Sequence, residues 1–167
     1  MAMRDLLQLG ARAGELLKAR KEKIAVGETS AGGLISAALL AVPGASEYFA
    51  GGAVTYSPRA VRGLLDLTFD ELRAKGIRSS SEPYAEILAE TIRQKHGGVA
   101  WGLSETGAAG PHGNGYGDPA GHTCIAVAGR MQGVRTIRTG ISDRVENMWL
   151  FTEAALALLV ENLEAAP

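Results

Sequence analysis

Apolar residues recur at helical spacing through Leu6, Leu7, Leu9, Ala13, Leu16 and Leu17, with charged residues between them. The spacing predicts an amphipathic helix over residues 3–20 that turns one face to a core. Lys21-Glu22-Lys23 closes it. Ile24-Ala25-Val26 is too short an apolar run for a helix and reads as a strand, followed by a glycine-containing turn and a periodic apolar stretch from Leu34 to Leu40. Pro43-Gly44 ends that helix. A second β-like run, Gly51 to Tyr56, leads into Ser57-Pro58, where the proline ring presets the first turn of another helix.

Residues 69–75 read as helical with Gly76 as the cap, and Ser79-Ser80-Ser81-Glu82-Pro83 is a polar start for a helix running through Ile87, Leu88 and Ile92. Gly97-Gly98 stops it. Val99 to Ser104 reads as a third strand that empties into a glycine-rich loop over 107–121, a composition that excludes regular structure. Two further strands, at about 122–129 and 133–140, join through Arg130-Met131-Gln132-Gly133 as an antiparallel hairpin, and a last helix runs from Val145 to about Leu163. Interleaved strands and helices followed by a late hairpin predict an α/β fold: one three-layer domain over 1–167, with a mixed sheet covered by helices on both faces.

Three strand ends deliver polar residues to loops. The first loop, Gly27 to Gly33, carries Glu28, Thr29, Ser30, Ala31, Gly32 and Gly33; its glycines let backbone amides approach a ligand, and the helix start behind them favours an anion. Thr29 and Ser30 are nucleophile candidates that need a base, and equally are ordinary helix caps. The second loop presents Tyr56, either an active-site hydroxyl or a half-buried ring at a strand end. The third is long enough to be functional or a flexible flap; it contains Gly107, Ala109, Gly110 and His112, with Glu105 just before it and His122 just after. These ionisable groups suit acid/base work, but no compact metal-ligand motif is present, and the expected site needs neither metal nor cofactor.

Composition narrows the partners. With 167 residues, 46% of them apolar, the chain can bury one sizeable core without disulfides. Lys and Arg number 17 against 18 Asp and Glu, a net charge of -1, which predicts no nucleic-acid or membrane partner and leaves a small-molecule substrate. The lone Cys124 lies in an apolar run and reads as a buried thiol of a reducing cytoplasm. No continuous apolar stretch resembles a signal peptide or membrane span, so a cytoplasmic location is expected. Exposed apolar surface on the first or last helix would favour a homo-oligomer.

In order along the chain stand Glu28-Thr29-Ser30-Ala31-Gly32-Gly33, Val42-Pro43-Gly44-Ala45-Ser46, Gly51-Gly52-Ala53-Val54-Thr55-Tyr56-Ser57, Gly107-Ala108-Ala109-Gly110-Pro111 and Ser142-Asp143-Arg144. This series resembles the C-terminal domain of the competence/damage-inducible CinA proteins, a family that hydrolyses the carboxamide of nicotinamide mononucleotide to the acid and ammonia. The family patterns are Glu-Ser-Cys-Thr-Gly-Gly, Pro-Gly-Ser-Ser, Gly-Gly-x-Val-x-Tyr-Ser-Asn-x-x-Lys, Gly-x-Ala-Gly-Pro and Gly-Asp-Arg. The resemblance implies a nucleophile and phosphate region at 28–33, an active-site hydroxyl at Tyr56, a backbone cradle at 107–111 and an anion contact at Arg144. Thr29, Ser30 and Ala31 stand where the family has Ser, Cys and Thr, and Val61 stands where it has lysine. Arg59 and Arg62 stay protonated and cannot act as that lysine would as a base. Glu105 or His112 would then supply a base to Ser30 or activate a water directly, or else the chain is a homologue that binds a ligand without turning it over.

Overall fold

The computed structural model describes residues 5–167. The first helix, α1 (Leu6–Arg20), opens at Asp5, whose side chain accepts a hydrogen bond from the Leu7 amide; residues 3 and 4 of the expected helix lie outside the described residues. The chain continues as β1 (Ile24–Glu28), α2 (Leu34–Leu40), a 3₁₀ turn, β2 (Phe49–Val54), α3 (Pro58–Leu65), α4 (Phe69–Ala74), α5 (Glu82–Lys95), β3 (Trp101–Ala108), β4 (His122–Gly129), β5 (Gly133–Arg138) and α6 (Arg144–Ala165). Pro58 sits in the first turn of α3, as the sequence predicts, with the Ser57 hydroxyl accepting from the Ala60 amide.

The five strands form one sheet in the order β2-β1-β3-β4-β5. β1 runs parallel to both β2 and β3, while β3-β4 and β4-β5 are antiparallel, which gives the expected mixed sheet. One core lies between the sheet and α1, α2 and α6, centred on Leu17, Ile35, Leu39, Trp101, Leu103, Leu156 and Leu159. On the opposite face, Leu88 and Ile92 of α5 pack with Ala25, Val61, Leu65, Leu72 and Tyr84. Small residues complete that layer beside α5: Ala85, Ala89, Cys124, Ala126 and Ala128. The result is three layers, with central strands buried on both faces.

Strand boundaries differ from expectation where polar residues continue the ladder. β1 extends through Gly27 and Glu28, because both pair in register with Ala53 and Val54 of β2. β3 runs on through Glu105, Thr106, Gly107 and Ala108, paired opposite Ile125, Cys124, Thr123 and His122. β2 starts two residues earlier and ends two residues earlier than expected, leaving Thr55 and Tyr56 just beyond it. Polarity hides these strand ends from a hydrophobic pattern, since their side chains find partners inside the fold.

Candidate functional site

The C-terminal ends of parallel β1 and β2 and of β3 lie side by side, so the loops leaving them converge. Between them opens a cleft of about 220 Å³. Thr29 follows β1, Thr55 and Tyr56 follow β2, and Thr106 and Gly107 belong to β3; Tyr84 of α5 and Phe69 of α4 close the far side. Gly107 admits the close strand packing here: a Cβ on it would stand 2.4 Å from the His122 carbonyl oxygen.

Three buried side-chain oxygens among the described residues lack any hydrogen-bond partner: Thr29 Oγ1, Thr55 Oγ1 and Tyr84 OH. All three residues line this cleft. A larger groove of about 560 Å³ runs beside α5, lined by residues such as Pro83, Ile87 and Ala128, and holds none of these oxygens. Buried polar atoms are nearly always satisfied, so three convergent exceptions mark the smaller cleft as the place a ligand or water completes. Burial pushes the Tyr84 phenol up to about 12, so it keeps its proton and acts as a donor.

The loop 28–33 is filled by the chain's own carboxylates. Glu28, fully buried, accepts from the amides of Gly33 (2.7 Å), Ser36 (2.9 Å) and Ile35 (3.2 Å) and from the Ser36 hydroxyl (2.8 Å). Gly33 reaches it from a left-handed conformation, φ 98°. The helix start expected to face a substrate anion thus faces Glu28. Glu105 takes the remaining loop donors: Oε2 accepts from the amides of Ala31 (2.8 Å) and Thr29 (3.1 Å), and Oε1 from the hydroxyls of Ser30 (2.5 Å) and Thr123 (2.9 Å). Burial raises the Glu105 carboxyl above its ordinary value, and these four hydrogen bonds only partly restore its acidity. Ser30, with Glu105 as an adjacent base, does not border the cleft; Thr29 borders it with no base in hydrogen-bond reach.

Tyr56 stands at the mouth, 63% exposed, where its hydroxyl accepts from Arg144 Nη2 at 3.2 Å. Arg144 Nη1 also donates to the Gly110 carbonyl at 2.5 Å, which ties the first turn of α6 to the third loop. Ala109 is buried with its carbonyl held by Asn147 Nδ2 at 2.6 Å, and Gly32 lies beside Met148, so both shape the backbone near the site without bordering the cleft.

The third loop is pinned rather than free. Arg78 grips Asp118 through both carboxylate oxygens (2.7 and 3.1 Å), Asn114 Nδ2 donates to the same carboxylate, and Asn114 Oδ1 accepts the amides of Tyr116 and Asp118. Burial alone would raise the Asp118 carboxyl; the hydrogen bonds from Arg78 and Asn114 outweigh it and hold the group below its ordinary value. Arg78 stacks on the Tyr116 ring at 4.9 Å, and Tyr116 lines the cleft. His112 is exposed and does not border the cleft, so the structure does not bring it to Thr29 or Ser30. His122 is buried; Arg138 Nε donates to its Nδ1 (3.3 Å), which leaves Nε2 to donate to the Ser80 carbonyl (2.8 Å). Cys124 is buried, as expected.

Thr55, Tyr84, Ser80 and Tyr116 also border the cleft, and no chemical motif in the sequence marks them. Tyr84 sits at helical spacing with Leu88, which in a sequence marks core. Ser80 carries no sequence signal for its left-handed backbone, φ 53°, held by the Thr106 hydroxyl at its amide.

The strand-end motifs around this cleft have known counterparts: the family model for the CinA C-terminal domain matches residues 7–163. The chain belongs to the CinA C-terminal domain family. A CinA-like protein of Prochlorococcus marinus is 41% identical over 115 residues, covering 69% of this chain and 26% of that protein. One from Anaeromyxobacter dehalogenans is 42% identical over 132 residues, covering 77% and 31%. The chain therefore spans only about a third or less of these CinA relatives. Among solved structures, a CinA superfamily protein from Klebsiella pneumoniae aligns with a TM-score of 0.86 at 26% identity, covering 96% of this chain and 99% of that one. A competence/damage-inducible protein from Agrobacterium tumefaciens aligns with a TM-score of 0.84 at 25% identity over 98% and 99%. The CinA fold is thus the fold of this chain. No helix among the described residues is long and apolar enough to cross a membrane.

Proposed function

We propose that this CinA domain is a small-molecule amidohydrolase, adding water across a carboxamide C–N bond to give the acid and ammonia, with nicotinamide mononucleotide as the first substrate to test. The observation that carries the reading is the Thr29 hydroxyl: it follows β1 in the family's nucleophile motif, borders the cleft, and has no protein partner. Tyr56 and Arg144 at the mouth supply a phenol and a cation for the polar end of such a substrate, and Gly107 at the cleft wall lets backbone come close. Ser30 and Glu105 support this arrangement by holding the loop from behind.

A second reading has its own observation. Thr29 has no base beside it, and Val61, at the family lysine position, is 1% exposed within the apolar cluster around Tyr84. That arrangement suits a cytoplasmic homologue that binds the same small ligands without hydrolysing them. Ammonia release from nicotinamide mononucleotide by the purified protein, measured beside calorimetric binding, separates the two. Turnover above background supports the hydrolase, binding without ammonia supports the second reading, and the absence of both removes both.

A further inference from the structure

We propose that Tyr84 and Thr55 are the specificity-determining residues of the cleft, and that they select an uncharged carboxamide over the corresponding carboxylate. The inference rests on the cleft being the ligand site, as proposed above, and holds whether or not the ligand is turned over.

The inner wall presents hydroxyls and no charge. Tyr84 and Thr55 are 1% and 2% exposed, and neither side-chain oxygen meets a protein partner. Both are fixed in place. The Tyr84 ring packs among Val61, Leu65, Leu72, Leu88 and Ile92, and lies 5.4 Å from the Phe69 ring at 45°. Thr55 continues the β1-β2 pairing, its amide donating to the Glu28 carbonyl at 2.8 Å. Hydroxyls held this way need no ordering when a ligand arrives.

Among the described residues, Arg73 is the one cationic side chain bordering the cleft; it is 74% exposed and already paired with Asp70 at 3.3 Å. A carboxylate entering the inner end would lose its hydration with no cation opposite it, which is costly. A carboxamide stays neutral, offers its oxygen to the phenol, which remains a donor, and offers its N–H groups to the threonine oxygen. Where the resemblance has a lysine, this chain has Val61, buried in the same apolar cluster as the Tyr84 ring, so no cation stands at that position. A pocket built so would hold an amide substrate and let its acid product go.

The test compares wild type, Tyr84→Phe and Thr55→Val for calorimetric binding of nicotinamide mononucleotide and of its deamidated acid, with thermal denaturation in the absence of ligand. The expected result is amide binding at least about tenfold tighter than acid binding in the wild type, and a loss of about tenfold for the amide in each variant with acid binding unchanged. Without ligand, Tyr84→Phe is expected to melt at or above the wild-type temperature, because it removes a buried hydroxyl that nothing satisfies. The proposal is overturned by unchanged amide affinity in Tyr84→Phe, by equal loss of both probes, by a wild type that binds neither, or by a lower melting temperature showing the phenol to be a structural partner. The expected binding pattern without ammonia release upholds the proposal and removes only the hydrolytic reading.

Discussion

Ser30 donates its hydroxyl hydrogen to Glu105 Oε1 across 2.5 Å behind the cleft, one residue after Thr29, which borders the cleft and whose hydroxyl has no partner. Base and access are divided between neighbours. In this strand-to-helix loop the two consecutive side chains leave the backbone in different directions, so that Thr29 borders the cleft and Ser30 does not. Ser30 is available to anchor the loop.

The division predicts opposite behaviour of two conservative variants. Thr29→Val, which keeps the shape and removes the cleft hydroxyl, is expected to lower turnover of nicotinamide mononucleotide by about 100-fold or more with little change in stability. Ser30→Ala is expected to cost about 1–2 kcal/mol in urea denaturation and to leave turnover per folded molecule within a few fold. Steady-state ammonia assays on both decide the matter; the reverse pattern would assign attack to Ser30 with Glu105 as its base.

Glu105 gives a pH signature. Burial raises its carboxyl in the folded protein above the ordinary 4.5, so between that value and the folded one the native state binds more protons than the unfolded chain. Stability therefore falls as pH rises through that window and levels off above it. Glu105→Gln removes this contribution, since its amide can accept the two backbone N–H groups and donate to the two hydroxyls. The wild-type minus variant stability difference, followed by urea denaturation from about pH 4 to pH 8, should decline with pH. A flat difference would show that the four hydrogen bonds offset burial fully.

The Arg78–Asp118 pair should hold the third loop. Asp118 is 5% exposed but Arg78 is 37% exposed, so solvent screens part of the interaction. Arg78→Met is expected to cost about 1–3 kcal/mol and to open residues 107–121 to limited proteolysis, because the buried carboxylate loses its main partner. Asp118 is held below its ordinary 3.8, so its contribution is present above that value and is lost as pH falls through its lower folded one. Intact resistance to proteolysis in Arg78→Met would mean that Asn114 and Arg138, whose Nη2 lies 3.8 Å from the same carboxylate, suffice.

Two glycines of the same region separate close packing from mere turn composition. At Gly107 an added Cβ would meet the His122 carbonyl at 2.4 Å, whereas at Gly115 it would meet nothing within 4 Å. Gly107→Ala is expected to destabilise by about 2 kcal/mol or more, and Gly115→Ala to lie within about 0.5 kcal/mol of wild type. Denaturation midpoints of the two variants check the contrast.

Much of the fold is legible in the sequence because it follows local rules. Leu6 to Leu17 fix α1 by their period, Pro58 and Ser81 mark helix starts, and the apolar run from Cys124 marks a central strand. The motif order also points to the loops that meet at the site. What escapes the pattern is polar yet interior. Glu105 reads as a loop residue beside glycines but lies within β3, because four donors from other parts of the chain satisfy it there. Tyr84 shares the apolar spacing of its helix, and its unpaired hydroxyl and its place on the cleft wall emerge only from the fold.

The sequence by itself determined the α/β order of elements, the CinA family and the three loops that carry polar residues, since each rests on spacing and residue type along the chain. The tertiary structure alone decided which polar groups face the cleft and which face one another. Glu28 and Glu105 fill the loop donors a substrate anion would have used, Thr29 is left without a hydrogen-bond partner, and Tyr84 and Thr55 join it from α5 and the end of β2. Hydrogen-bond partners separated by some 75 residues are set by how layers pack, and no local periodicity encodes them.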